Sequence, residues 1–274
     1  MTRRKDDTSA ANEGVAFLRG RTTDVDIDEP SDVTVLRRGD LFVVSDVEST
    51  GILMTREGES ARVEIAGVGD EESGFEAVAY DAKRQRLFVV REERHELAIL
   101  RWAGTAATST ELLEVRKLPS IGRTKGKSRK KSNKGIEGMA WLPSRHSPTG
   151  KAHLILAKEA KPRALVLLDA DGKGEPWEIP LERSIDKACA DFSGLAVDPI
   201  SGHVFLCSDE SSTIAEIALH GGREPHGDLV AVTELRDRRG KRFDRVEGIA
   251  IDEDGRLFVL QENKRVLWSY ERVL

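Results

Sequence analysis

Ten polar residues occupy two equivalent positions in a phrase that this 274-residue chain repeats five times. Each copy begins with an acidic or hydroxyl residue, which is followed by a run of small and apolar residues and a turn. A second apolar run comes after the turn, and an acid follows at its end. The first position holds Ser31, Glu76, Glu137, Ser193 and Glu247. The second position holds Asp46, Glu92, Glu159, Asp209 and Glu262. Eight of the ten are carboxylates, and carboxylate oxygens are the ligands that hard cations such as Ca²⁺ accept.

The same repeats predict the fold that would position these residues. Four units contain four short strand candidates each, as in residues 33–36, 41–45, 51–54 and 61–65, whereas the last unit contains three. An apolar run at residues 15–18 precedes the first unit and supplies the missing strand. We therefore predict an all-β, five-bladed β-propeller of four-stranded antiparallel blades, closed by an N-terminal strand at 15–18 that joins the C-terminal blade. Six blades is the alternative, if residues 100–135 hide a further unit.

Length and composition predict the domain organisation and the compartment. Residues 1–13 are polar and are assigned to a flexible N-terminus, and residues 14–274 to a single propeller domain. Trp102, Trp141 and Trp268 fall on strand candidates and are expected to pack between blades. Two cysteines without CxxC spacing, and no apolar span of membrane length, favour a cytoplasmic protein with no membrane partner. A periplasmic location would apply if a leader had been removed.

A propeller would gather the ten repeated positions at one mouth of its central channel. The first strand of each blade lines the channel and the second runs antiparallel beside it, so the start of the first strand and the end of the second lie on one face. Repulsion among so many carboxylates would raise their pKa values unless a cation compensates. Either a divalent cation fills this role, or the ring is neutralised internally by nearby cations such as Arg91, Lys158 and Arg245, or by backbone N–H groups of the next blade.

Three segments of the chain resemble a known family. These are residues 134–141 with 157–159, residues 192–199 with 207–210, and residues 246–252. In this order they are similar to the SdiA-regulated family, which is also described as calcium-regulated β-propellers and whose repeats resemble those of phytase-like propellers. The resemblance implies a five-bladed propeller and favours Ca²⁺ as the cation. We expect Glu76, Glu137 and Glu247 to be first ligands, with Glu92, Glu159, Asp209, Glu262 and Asp46 as further ligands or general bases.

Three functions remain open from the sequence. The preferred hypothesis is a propeller that binds Ca²⁺ at the acidic mouth and uses that face to recognise a small anionic ligand or a protein, with Ser31 and Ser193 at the site. A second is a metal-dependent phosphoester hydrolase, in which the metal would polarise the phosphoryl group and Arg91, Lys134 and Lys158 would offset its charge. A third is a metal-free interaction scaffold. Nucleic acid is not expected as a partner, because the net charge is −5 and the basic stretch 123–134 lacks aromatic residues.

Overall fold

The computed structural model describes residues 17–68, 74–92, 94–104, 106–119, 135–159, 163–171, 175–222, 225–237 and 239–273. These residues form twenty β-strands in five four-stranded antiparallel sheets, which are the blades of a five-bladed propeller. The predicted fold class is confirmed, and no sixth sheet occurs within the described ranges. The predicted flexible segment 1–13 and the basic stretch 123–134 both lie outside those ranges.

The strands follow the blades in chain order, except for the first. β1 (Phe17–Asp24) belongs to the last blade. Blade 1 contains β2 (Pro30–Val35), β3 (Leu41–Ser45), β4 (Thr50–Met54) and β5 (Ser60–Glu64). Blade 2 contains β6 (Phe75–Asp81), β7 (Arg86–Arg91), β8 (Glu96–Arg101) and β9 (Glu111–Lys117). Blade 3 contains β10 (Ile136–Leu142), β11 (His153–Lys158), β12 (Ala164–Asp169) and β13 (Trp177–Ile179).

A short helix, α1 (Arg183–Ala188), precedes the fourth blade. Blade 4 contains β14 (Gly194–Val197), β15 (Val204–Ser208), β16 (Thr213–His220) and β17 (His226–Glu234). Blade 5 contains β18 (Val246–Ile251), β19 (Leu257–Gln261) and β20 (Val266–Arg272), with β1 as its outer strand. In the part of the chain that the structure describes, no helix has the length and apolar character needed to cross a membrane.

The ring is closed by the pairing of β1 with β20. The register runs from Phe17 opposite Arg272 to Asp24 opposite Val266, with one irregularity between Arg19 and Thr22. The predicted closure is confirmed. The strand includes residues 17 and 18 of the predicted segment 15–18 and continues beyond it to Asp24, while residues 15 and 16 lie outside the described ranges. An outer strand of a blade has little to bury, and residues 21–24 are all exposed. An apolar pattern therefore marks only the beginning of this strand.

The hydrophobic core lies between neighbouring blades. Phe42 of blade 1 packs edge-on against Trp102 of blade 2, with ring centroids 5.5 Å apart. Phe88 of blade 2 stacks on Trp141 of blade 3 at 5.9 Å. Trp268 packs on Phe243, in the segment before blade 5, at 5.1 Å. These contacts confirm that Trp102, Trp141 and Trp268 pack between blades.

The five first strands, β2, β6, β10, β14 and β18, lie side by side around the channel. They approach closely because three of them, β10, β14 and β18, carry glycine at the point of contact. A Cβ atom on Gly138 would lie 3.0 Å from the backbone of Gly194, and one on Gly248 would lie 2.9 Å from Cα of Asp32. Any larger side chain would push the strands apart, so these glycines set the narrow waist of the channel.

Candidate functional site

A β-bulge sets the direction of the first acid in three blades. Pairing between the first two strands skips one residue at the start of β6, β10 and β18, and the unpaired residues are Glu76, Glu137 and Glu247. Blade 1 has the same bulge at Ser31. A bulge re-aims the side chain of its extra residue and twists the strand locally. The repeated first position of the sequence is therefore a repeated backbone irregularity at the channel mouth.

The structure brings the acidic residues of different blades together at this mouth. Glu76 shares a side-chain hydrogen bond with Asp46 and interacts electrostatically with Glu137 and Glu92. Glu137 in turn interacts with Glu159 and Glu247. Glu247 interacts with Asp209 and Glu262. All eight predicted carboxylates therefore belong to one electrostatically connected group, which we call the acidic mouth.

Part of the acidic mouth encloses a small cavity. It has a volume of about 170 Å³ and lies between blades 5, 1 and 2. Its lining consists of Glu29, Pro30, Ser31, Asp46, Glu76, Arg245, Glu247 and Glu262. This volume holds a few water molecules or one hydrated ion, and it is below the range of typical organic-ligand pockets.

Burial and mutual repulsion hold protons on the three bulge glutamates. Burial, followed by repulsion from Glu137 and Asp46, raises the pKa of Glu76 from 4.5 to about 10. Burial and repulsion from Glu92 raise the pKa of Glu137 to about 8. The pKa of Glu247 is raised to about 8 by burial and then by Asp209. These carboxyl groups lose their protons readily only when a positive charge replaces them.

The acids at the second position connect neighbouring blades. Glu92 accepts a hydrogen bond from the backbone N–H of Gly135 at 2.8 Å, and Asp209 accepts one from the N–H of Val246 at 3.1 Å. These bonds join blade 2 to blade 3 and blade 4 to blade 5. One open alternative was that backbone N–H groups of the next blade bind the carboxylates. Glu92 and Asp209, at the second position, are bound in this way. A carboxylate that uses one oxygen in this way keeps lone pairs for another ligand.

Of the predicted cations, Arg245 lies at the acidic mouth. Its guanidinium is 3.0 Å from Glu262 and its side chain is 59% exposed. Arg91 is buried and contacts Glu96 at 3.4 Å, and burial lowers its pKa. Lys158 is also buried, which lowers its pKa. Lys134 lies outside the described residues. Arg91 and Lys158 are the last residues of β7 and β11, and both are buried, whereas the second-position acids Glu92 and Glu159 follow the strand ends.

The two serines at the first position bind the neighbouring blade. The Ser31 hydroxyl donates to the carbonyl of Phe75, and the Ser193 hydroxyl donates to the carbonyl of Val246 at 2.7 Å. In blades 1 and 4 a serine thus occupies the first position in place of glutamate, and its hydroxyl connects two blades. With their protons engaged, these hydroxyls offer a ligand only acceptor lone pairs.

Asp32 is a buried acid that the sequence analysis missed. Its side chain accepts hydrogen bonds from the N–H groups of Val33 and Val78, both at 2.8 Å. The residue is completely buried, and burial raises its pKa well above the ordinary value. The four other repeats carry Ala77, Gly138, Gly194 and Gly248 at this position. An acid at a position where every other repeat has alanine or glycine could have identified Asp32 from the sequence.

The donor set agrees with a hard cation in its chemistry but is not arranged as a preformed site. It consists of carboxylate and hydroxyl oxygens, which Ca²⁺ prefers, in an environment that disfavours their negative charge. Among the residues described, no group of three or more His, Cys, Asp or Glu side chains has the geometry to hold a metal ion. The acids are instead bonded to each other and to backbone N–H groups, so metal binding would require several of them to reorient.

Solved structures share the fold of this chain at low sequence identity. Glutaminyl cyclase from Myxococcus xanthus superimposes with a TM-score of 0.59 at 14% identity, with 95% of this chain and 98% of that chain covered. The PQQ-bound aldose sugar dehydrogenase from Streptomyces coelicolor gives a TM-score of 0.57 at 12% identity, with 96% and 100% covered. Both neighbours are enzymes, and at this identity they show the fold alone. No curated protein matches the chain, whereas the model of the family described as SdiA-regulated matches residues 41–267.

Proposed function

Because the chain belongs to the SdiA-regulated family, we propose that this propeller binds a divalent cation, Ca²⁺ in the first instance, at its acidic mouth. The bound cation and the surrounding face would recognise a small anionic ligand or a protein partner. The observation that supports this most strongly is the set of three bulge glutamates whose pKa values lie near 8 or above. Ionisation of these three carboxyl groups is unfavourable in free energy in the cation-free protein, and a bound divalent cation would offset that free energy.

Glu76, Glu137 and Glu247 would provide the inner oxygen donors. Asp46 and Glu262 share the 170 Å³ cavity with Glu76 and Glu247, and they are the nearest further donors. Glu92, Glu159 and Asp209 would contribute from the rim. Ca²⁺ accepts six to eight oxygens in flexible geometry, and this tolerance suits a site assembled from several blades better than the strict octahedron of Mg²⁺.

Recognition would follow from charge at the mouth. A cation held by carboxylates retains open positions that an anionic group of a ligand or partner can fill. Arg245 stands at the cavity with an exposed side chain, so it can contact the same anionic group. The hydrolase hypothesis gains no support from the described residues, because Arg91 is paired with Glu96 and Lys158 is buried.

Thermal unfolding with EDTA and with added Ca²⁺ tests the proposal. At a Ca²⁺ concentration of about 100 times Kd, the folded state gains about 2.7 kcal/mol, which raises Tm by roughly 5 °C or more in a domain of this size. Mg²⁺ is expected to give a smaller shift. Glu137→Gln should abolish most of the Ca²⁺ shift, whereas Glu59→Gln, on an exposed hairpin at the other end of blade 1, should keep it. Identical melting curves with EDTA and with Ca²⁺ would reject the proposal and leave the metal-free scaffold.

A further inference from the structure

The channel has a second opening, at the end away from the acidic mouth. The first strands run from the acidic mouth to this end, where they turn into the hairpins that lead to the second strands. A cavity of about 520 Å³ lies here, three times the volume of the acidic one and within the range of pockets that hold small organic molecules. We call it the distal cavity.

Apolar side chains form part of the wall of the distal cavity. All five first strands contribute to the lining, and its partly exposed apolar residues include Val35, Trp141, Pro143, Val197 and Pro199. Four further lining residues are buried in the core between blades and support this wall from behind: Val33, Met139, Leu195 and Ile249. A wall supported by the packed core can contact a hydrocarbon or aromatic group without reorganisation of the fold.

Three cations stand on one side of the rim. Lys83 and Arg84 come from the β6–β7 hairpin, and Arg145 from the hairpin that follows β10. The first hairpin is held in place by Asp81, whose carboxylate accepts hydrogen bonds from the N–H groups of Lys83 at 3.0 Å and Arg84 at 3.3 Å. In the second, Nε of Arg145 donates to Nε2 of His146 at 3.0 Å, and this ring nitrogen lies 3.1 Å from the carbonyl oxygen of Pro199, in the segment after β14. The terminal guanidinium nitrogens of Arg145 can still contact a ligand.

The charge on this rim is divided between two sides. Lys83 forms no ion pair within the described ranges, and Arg84 contacts Asp81 at 3.4 Å. Glu253 lines the cavity from blade 5, across the channel from the cations. The side formed by blades 2 and 3 is therefore positive, although the chain as a whole carries a net charge of −5. Electrostatic attraction on this side selects for an anion, and the apolar wall selects for a hydrophobic body.

We infer that the distal cavity binds a small organic anion with an apolar body, such as a medium-chain carboxylate. The anionic group contacts Lys83 and Arg145, and the apolar body occupies the channel between β2, β10, β14 and β18. This site is separate from the acidic mouth in charge, volume and position. Its occupancy does not depend on a cation at the other end.

Calorimetric titration with octanoate tests the inference, with EDTA present to exclude effects at the acidic mouth. Octanoate should bind with a Kd of about 1 mM or tighter. Acetate lacks the apolar body, 1-octanol lacks the charge and octylammonium reverses it, so each of these should bind at least ~10-fold more weakly. Equal binding of octanoate and octylammonium would overturn the assignment, as would no octanoate binding at all.

Variants locate the site. The double variant Lys83→Ala with Arg145→Ala should weaken octanoate binding by ~10-fold or more, while Lys187→Ala, an exposed residue of α1, should leave it unchanged. Glu253→Gln removes the acid from the rim and should tighten binding by a few-fold. All of these residues are exposed, so the variants are expected to fold. Octanoate binding that is insensitive to the double variant would place the ligand elsewhere and refute the inference.

Discussion

Replacement of Glu137 by glutamine tests whether the acidic mouth stores protons that a cation would displace. Burial and then repulsion from Glu92, Glu159 and Glu247 raise the pKa of Glu137 from 4.5 to about 8. The stability that the bound proton contributes is fully present below the ordinary pKa of the unfolded chain and is lost as the pH rises through the folded-state value. Between these two values the folded chain carries a proton that the unfolded chain has lost.

The size of the effect follows from this difference. Each pH unit within the window lowers the free energy of unfolding by roughly 1.4 kcal/mol for each proton retained. Between about pH 5 and about pH 8, Glu137 alone should therefore destabilise the cation-free protein by on the order of 3 kcal/mol. Glutamine stays neutral throughout. In EDTA, Glu137→Gln should match the wild type near pH 5 and exceed its stability near pH 8 by on the order of 3 kcal/mol.

Urea unfolding followed by tryptophan fluorescence, repeated across this pH range, measures these free energies. Glu59→Gln is the matched control, because Glu59 is exposed and distant from the mouth, and its pH profile should follow that of the wild type. Parallel profiles for the wild type and Glu137→Gln would refute the reasoning. Addition of Ca²⁺ should reverse the order near pH 8, because the wild type retains the ligand and the variant does not.

Three further predictions concern the frame of the site. Gly248→Ala places a Cβ atom 2.9 Å from Cα of Asp32 and should lower the urea midpoint clearly; an unchanged midpoint would show that the strands at the waist can separate. Phe88→Ala removes a fully buried ring and should lower the free energy of unfolding, measured in urea, by about 3–5 kcal/mol. Trp177→Ala changes a side chain that is 43% exposed and should lower it far less. Similar losses for the two variants would contradict the packing between blades. Arg245→Ala removes a cation from the acidic cavity and should tighten Ca²⁺ binding by a few-fold in calorimetry; weaker binding would show that Arg245 supports the site.

Much of the fold could be predicted because repetition amplifies a weak local signal. A single apolar run such as residues 257–260 does not distinguish a strand from a buried helix, but five similar runs, each after a turn, specify a ring of blades. The closing strand was harder to delimit. β1 pairs with β20 mainly through backbone hydrogen bonds, and its residues 21–24 are exposed, so their sequence carries no apolar pattern.

The position of the acids could be predicted from topology, but their protonation and bonding could not. The sequence places Glu137 at the start of a strand and Glu92 at the end of another. It does not show that Glu137 sits on a bulge, or that Glu92 bonds to the N–H of Gly135, because both depend on the register between strands and blades. The burial of Arg91 and Lys158 at the strand ends was not predicted either, since their position beside the second-position acids suggested exposed cations. In the sequence, Asp32 differs from the equivalent position of the other repeats only in being an acid where they have alanine or glycine.

Calorimetric titration of Ca²⁺ in buffers with different ionisation enthalpies tests cation binding at the acidic mouth most directly, because it counts the protons released. With the pKa of Glu137 and Glu247 near 8 and that of Glu76 near 10, binding at about pH 7 should release one or more protons per Ca²⁺. Glu137→Gln should reduce both the affinity and the proton count. No Ca²⁺ binding, or binding that releases no protons and is unaffected by Glu137→Gln, would contradict the proposed site.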